Sequence, residues 1–301
     1  EDVVMLPVPA GTFTMGPQED GDDALFDQGD ELPRREVTLD AYEIGKFEVN
    51  NAQFAEFMNY MHHPSRDLLK RPNGATWQGF PEHVWFYDSA LPRVVFAFAL
   101  TEDGIDYDQV TKTFVTKQLE GIPAGTFYDK ATHPVTEPTW YGAVLFANWL
   151  SERSGLEPVY DTDTWTGDFT KNGYRLPTEA EWERAAAWDG EKHWIYPITS
   201  DELTTRDRVN FHVDSFRPNP DFGSTSFINP LGILQDAKES YTSPVGWFNG
   251  INISPNGSIQ TVDSPSPVGA YDMAGNVVEW CDDWYLSTSY SENVTDNPRG
   301  P

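Results

Sequence analysis

Oxygen donors crowd one short stretch of this 301-residue chain. In Gly275-Asn276-Val277-Val278-Glu279-Trp280 a glycine, two backbone carbonyls and the Glu279 carboxylate fall close together. Oxygen-only ligands of that kind suit a hard cation such as calcium. The competing assignment pairs Glu279 with a buried arginine, Arg175 being the candidate. Other metal patterns fail on their spacing. Asp20, Asp22 and Glu31 stand at positions 1, 3 and 12 of a calcium loop, but Leu25 occupies the position that must be glycine, which leaves a solvated acidic loop. The six histidines (His62, His63, His83, His133, His193 and His212) contain no HxxxH pair that would place two imidazoles on one helix face. His62 and His63 are adjacent at a helix end and therefore point apart. Cys281 is the one cysteine, so no intrachain disulfide can form, and its reading is a buried structural thiol.

Short elements must position these groups. Val3 to Gly16 reads as a strand, a Pro-Ala-Gly turn and a second strand, and Arg35 to Tyr42 alternates as another. Phe54, Phe57, Met58 and Met61 recur at helical spacing after a cap at Asn50 or Asn51, and His62-His63-Pro64 ends that helix. Residues 64–133 read as an insertion on the same domain, with a hairpin around Asp103-Gly104 and further short strands. A second helix follows Pro138, with Ala143, Phe146, Ala147 and Leu150 as its apolar stripe and Gly155 as its stop. A third opens on a capping box, Thr178-Glu179-Ala180-Glu181, and turns Trp182, Ala185 and Ala186 inward. Turns at Phe222-Gly223, Asn249-Gly250 and Asn256-Gly257 mark a loop-rich remainder.

Composition narrows the function classes. With 48 acidic and 20 basic residues the net charge is −28, which repels nucleic-acid phosphates and anionic lipid headgroups. No apolar run is long enough for a membrane span. Eleven Trp, thirteen Tyr and eighteen Phe beside 23 Gly and 23 Pro predict aromatic anchors holding irregular loops, with little regular secondary structure. The chain opens Glu1-Asp2 without an initiator Met, as a processed, exported protein would.

Four ordered segments resemble the formylglycine-generating-enzyme (sulfatase-modifying factor) family. They are PVPAGTFTMG (7–16) with EVNN (48–51), HPVTEPTWYGAVLFANWL (133–150), YRLPTEAEWERAAA (174–187), and residues 243–248 with VGAYDMAGNVVEWCDDWY (268–285). The resemblance implies an α+β, irregular and loop-rich single domain over residues 1–301, with a fold related to C-type lectins. It implies a calcium site at Asp272, Gly275, Val277 and Glu279, and a second at Asn210, Phe211 and Asp236.

The family's oxidases use two cysteines to bind copper, because Cu(I) prefers soft thiolates. In the family, the point where this sequence ends, Asp296 to Pro301, leads into an Arg-Gly-Gly-Ser-Trp strand and the cysteine region. Copper is therefore not expected here. The three-histidine iron site of the family's sulfoxide-forming relatives has no counterpart in the histidine spacing. The first reading is thus a calcium-stabilised, extracytoplasmic binding or structural protein, secreted or attached to the envelope. Its partner would be a protein or glycan, contacted by loop tryptophans (Trp77, Trp85, Trp165, Trp247), or another chain that completes the fold. The alternative is a copper-dependent oxidase that converts a substrate cysteine to formylglycine, with its catalytic segment outside this sequence.

Overall fold

A computed structural model describes residues 3–17, 31–66, 68–70, 83–87, 94–99, 104–108, 110–120, 127–201, 207–210, 242–253, 260–288 and 294–300. They fall into two compact units, one built around Val49–Leu176, the other from Asp2–Glu48, Pro177–Leu234 and Tyr241–Pro301.

In the first unit α1 spans Asn51–His62. Asn50 is its cap: its side chain accepts from Gln53 N at 2.9 Å, and the Gln53 side chain accepts from Asn50 N at 3.0 Å. That reciprocal pair satisfies two groups the first turn cannot satisfy itself. The expected stripe of Phe54, Phe57, Met58 and Met61 is buried along its full length. α2, Trp140–Arg153, starts on the Thr139 hydroxyl and stops at Gly155, whose φ of +71° a side chain would strain. Phe146 of α2 stacks on Phe54 of α1 at 5.7 Å and meets Phe57 edge-on at 5.7 Å. Trp149 lies 5.7 Å from Phe57, closing an aromatic core. Burying each such ring contributes roughly 1.5–3 kcal/mol.

The described intervening residues form short antiparallel pairs; of the hairpin predicted around Asp103-Gly104, Asp103 lies outside the described residues, and no described pair joins Val94–Ala99 to Thr113–Thr116. β6 (His83–Tyr87) pairs with β7 (Val94–Ala99) and with β5 (Leu69–Lys70), while β8 (Ile105–Asp108) pairs with β9 (Thr113–Thr116). The turn falls instead before Lys112, the residue at φ +59°. Alternation marked the strands but carried no information about partners, which is a property of register. β10 (Gln118–Glu120) with β11 (Phe127–Asp129), and β12 (Tyr160–Asp161) with β13 (Thr166–Gly167), are the remaining strand pairs among the described residues of this unit. His62 meets the Tyr107 hydroxyl at 3.0 Å and His63 meets Ser65 at 2.7 Å, so the two rings do point apart.

In the second unit β1 (Met5–Val8) pairs with β4 (Tyr42–Gly45), and β2 (Gly11–Met15) with β3 (Arg35–Leu39). α3, Glu179–Ala187, packs on these ribbons through small residues. Ala185 and Ala186 sit with Val8, Ile44, Ala270 and Met273, and Ala180 sits with Phe13, Met15, Val37 and Leu39. Three alanines at these positions let the helix backbone approach both ribbons closely. Beyond α3 the described residues contain no further helix or strand. Isolated bridges such as Thr38–Asp296 tie the chain down instead, with Thr38 N donating to Thr295 O at 2.7 Å.

The α3 cap is buried and reciprocal: Glu181 N donates to Thr178 Oγ1 at 3.2 Å, and Thr178 N donates to Glu181 Oε2 at 2.8 Å. Thr178→Ala is expected to cost about 1 kcal/mol in urea unfolding, with Thr178→Ser recovering most of it. Equal losses in both variants would show that the hydroxyl is not the stabilising group.

Candidate metal centre

The loop 272–280 is shaped by three backbone turns into the left-handed region: Asp272 at φ +64°, Gly275 at +88° and Asn276 at +65°. Two of these are not glycine, so surrounding contacts must hold them there. Asn276 supplies most of those contacts. Its Nδ2 donates to Glu48 Oε2 at 2.7 Å and to Ser243 O at 3.3 Å. Its Oδ1 accepts from Ser243 N at 2.9 Å, Ser243 Oγ at 3.2 Å and Asn210 Nδ2 at 3.2 Å. Its backbone N donates to Asn210 O at 2.7 Å. One amide thereby joins three chain segments and uses both of its donors.

A second set of bonds anchors the end of the loop to α3. Trp182 Nε1 donates to Glu279 Oε2, Asp282 N donates to Pro177 O at 2.8 Å, and Glu179 N donates to Asp283 Oδ2 at 2.7 Å. The segments 174–187 and 268–285, singled out in the sequence, therefore meet through named atoms. In the first unit the Arg175 guanidinium lies 4.0 Å above the Phe169 ring and donates to Leu176 O.

Three carboxylates converge electrostatically here without an ion pair to any described residue. Burial, then the charges of Asp272 and Glu279, push the Glu48 carboxyl well above its ordinary range, against hydrogen bonds from Asn276 and Val277. Burial raises Asp272 to about 7, with the Gly246 N–H opposing and Glu279 adding to the rise. Burial also raises Glu279, which the Trp182 N–H partly offsets. Glu48 is buried by accessible surface, whereas Asp272 and Glu279 keep part of theirs. Their protein neighbours are nonetheless dense enough that lost hydration comes first among the causes.

The oxygens are not equally occupied. Glu48 is satisfied on both, Oε2 by Asn276 and Oε1 by Val277 N at 3.3 Å. Asp272 accepts from Gly246 N on Oδ2 alone, at 2.5 Å, and Glu279 accepts from Trp182 on Oε2 alone. No described residue donates to Asp272 Oδ1, to Glu279 Oε1, or to the carbonyls of Gly275 and Val277. Four oxygens are left over within eight residues, two of them on carboxylates. Among the described residues no three His, Cys, Asp or Glu side chains form a metal-holding group by themselves, so a cation here must draw on backbone carbonyls. The donor set fits a hard divalent cation and does not fit a soft one.

Of the predicted second site, Asn210 is placed but Phe211 and Asp236 lie outside the described residues, as do Trp77 and the acidic loop's Asp20, Asp22 and Leu25. Asn210 is buried and committed to Asn276 through both its side chain and its carbonyl. Sequence reasoning missed Glu48, the Asn276 hub and the Trp182–Glu279 bond. The residues themselves were visible in the EVNN, GNVVEW and EAEW segments, but nothing local shows that positions 48 and 276 touch.

Cys281 is half-buried. Burial pushes its thiol to about 12, helped by the charges of Asp283, Glu179, Glu279 and Asp282. A thiol held protonated in this way is a poor nucleophile and a poor metal ligand. Glu179, at the first turn of α3, keeps an exposed surface, yet partial burial of its carboxyl and then the charges of Asp283 and Glu183 raise it from 4.5 to about 7. A raised carboxyl binds its proton more tightly in the folded state, so stability is lost as pH climbs from about 4.5 to 7. Glu179→Gln is thus expected to melt above the parent at pH 8, with the gap closing by pH 4.5. A gap of equal size at both pH values would contradict this.

Comparison with known proteins bears on the family of the chain. The profile of the sulfatase-modifying factor enzyme 1-like domain matches residues 2–299. A formylglycine-generating enzyme of Thermomonospora curvata is 30% identical over 302 aligned residues, covering 99% of this chain and 78% of that protein. The formylglycine-generating enzyme of Bos taurus is 27% identical, and the match spans 99% of this chain but 62% of the bovine protein. Among solved structures, Treponema denticola variable protein 1 superposes with a TM-score of 0.53 at 21% identity, over 99% of this chain and 78% of its own, a likeness of fold. The loop-rich mixture of short strands and helices among the described residues is the architecture the resemblance implied. The chain belongs to the sulfatase-modifying factor enzyme 1-like (FGE-sulfatase) domain family.

Proposed function

We propose that this chain is a calcium-stabilised binding or structural protein of an extracytoplasmic compartment, using the family fold as a scaffold. The observation that carries this reading is the set of unoccupied oxygens on Asp272, Gly275, Val277 and Glu279, next to a Glu48 whose oxygens are both taken. Bound there, calcium would supply the positive charge that these buried carboxylates otherwise lack. Asp272 and Glu279 would hold it through Oδ1 and Oε1, while Gly246 and Trp182 fix the opposite oxygens. Glu48 would stay behind them as a positioning group. Asn210, with Phe211 and Asp236, remains the proposed second site on the strength of the resemblance.

The state of the thiol supports a non-catalytic role. These 301 residues contain one cysteine, and its environment keeps the thiol protonated. No described helix is long and apolar enough to cross a membrane. The charge of −28 disfavours nucleic acid and attracts divalent cations. A protein or glycan ligand would find aromatic surface on Trp284 and Tyr285, which are 62% and 80% exposed. Of the loop tryptophans in the described part, Trp165 packs edge-on against Tyr141 at 4.8 Å as an anchor for its own loop.

The identity to a protein named formylglycine-generating enzyme favours one second reading, a copper-dependent oxidase acting on a substrate cysteine. Copper binding and oxidation of a cysteine peptide by the full-length protein would establish that reading, and failure of both would remove it.

For calcium, a chelator is expected to lower the melting temperature by several degrees. A ligand at a hundred times its dissociation constant adds about 2.7 kcal/mol to stability, and about 1 kcal/mol moves a domain of this size by roughly 2–4 °C. Glu279→Ala should abolish most of the difference between calcium and chelator. Superimposable melting curves for the parent in both buffers would refute calcium stabilisation.

A further inference from the structure

Asp272 is useful as a ligand only if one oxygen is held and the other left open, and what holds it is a backbone N–H, that of Gly246. The direction of that N–H depends on an unusual backbone: Gly246 is at φ +65° and buried. It is also in close contact with an aromatic ring. A Cβ added at Gly246 would lie 2.8 Å from Cδ1 of Phe47 and nearer still to its Cε1, well inside van der Waals contact. The same Phe47 ring stacks on Tyr271, the residue preceding Asp272, with centroids 5.7 Å apart and planes 25° from parallel. Tyr271 is fixed in turn, its N donating to Lys46 O at 2.9 Å and its hydroxyl to Asp263 at 2.6 Å.

One side chain therefore packs against both the residue that donates the hydrogen bond and the residue preceding the acceptor. We infer that Phe47 is a positioning residue for cation binding, a spacer between Gly246 and Tyr271 that sets the Gly246 N–H on Asp272 Oδ2 and leaves Oδ1 for a hard divalent cation. This rests on the calcium reading of the 272–279 loop and adds to it a reason why position 246 must be glycine. A larger residue there would be pushed off the ring, carrying its N–H away from the carboxylate. With the N–H gone, Asp272 could turn and lose its defined open oxygen.

The test is calcium titration of the parent and four variants by calorimetry, with circular dichroism to confirm folding. Gly246→Ala is expected to raise the calcium dissociation constant at least tenfold. Adding Phe47→Leu to Gly246→Ala makes room for the new methyl and should recover at least threefold of that loss. Gly155→Ala is the control for backbone strain alone, since Gly155 is at φ +71° with nothing within 4 Å of an added Cβ. It should lower the melting temperature and leave the calcium constant unchanged. Phe47→Leu alone should weaken calcium about threefold or more, and it decides the matter if Gly246→Ala does not fold. If the parent shows no calcium binding, the calcium reading fails and this inference with it. If the parent binds but Gly246→Ala or Phe47→Leu binds equally well, the spacer role is wrong while the site stands.

Discussion

The feature on which the loop depends is the burial of like charges around a single saturated amide. Asp272 and Glu279 raise the Glu48 carboxyl, Glu279 also raises that of Asp272, and none of the three is ion-paired with a described residue. Unpaired buried charge is costly, so such a cluster persists only if protons or a cation neutralise it. Asn276 prevents the cluster from relaxing outward. It bonds Glu48, Ser243 and Asn210 at once, from a left-handed backbone at φ +65°.

The rest of the second unit can be understood as support for that arrangement. α3 is short, but its cap, its alanine face and the Trp182 indole fix one end of the loop. Phe47 and Tyr271 fix the other end by ring stacking. The two motif segments that identify the family are thus two halves of one structural joint. This explains how such specific motifs can define a fold strongly while specifying little about chemistry.

Much of the local structure was legible in the sequence because its signals are local. Thr178 and Glu181 announce a capping box at a spacing of three, and Phe54, Phe57, Met58 and Met61 announce a buried helix face. The position of Asp272, Gly275, Val277 and Glu279 on one tight loop also followed from their proximity in the chain. What was not legible is non-local. The pairing of Val94–Ala99 with His83–Tyr87, rather than across Asp103-Gly104, depends on register between alternating segments that look alike. The Glu48–Asn276 bond joins residues 228 positions apart, and the Phe47–Gly246 contact is visible only once a Cβ is imagined in a packed space. Which carboxylate oxygens remain unoccupied, the point on which the metal assignment turns, is likewise a property of packing.

The most direct measurement is a crystal structure of the chelator-treated protein returned to calcium chloride. The account predicts one strong, spherical density peak about 2.3–2.6 Å from Asp272 Oδ1, Glu279 Oε1 and the carbonyls of Gly275 and Val277, with Gly246 N still on Asp272 Oδ2. A loop in which those four oxygens instead accept hydrogen bonds from water or from a basic side chain, with no cation among them at saturating calcium, would contradict it.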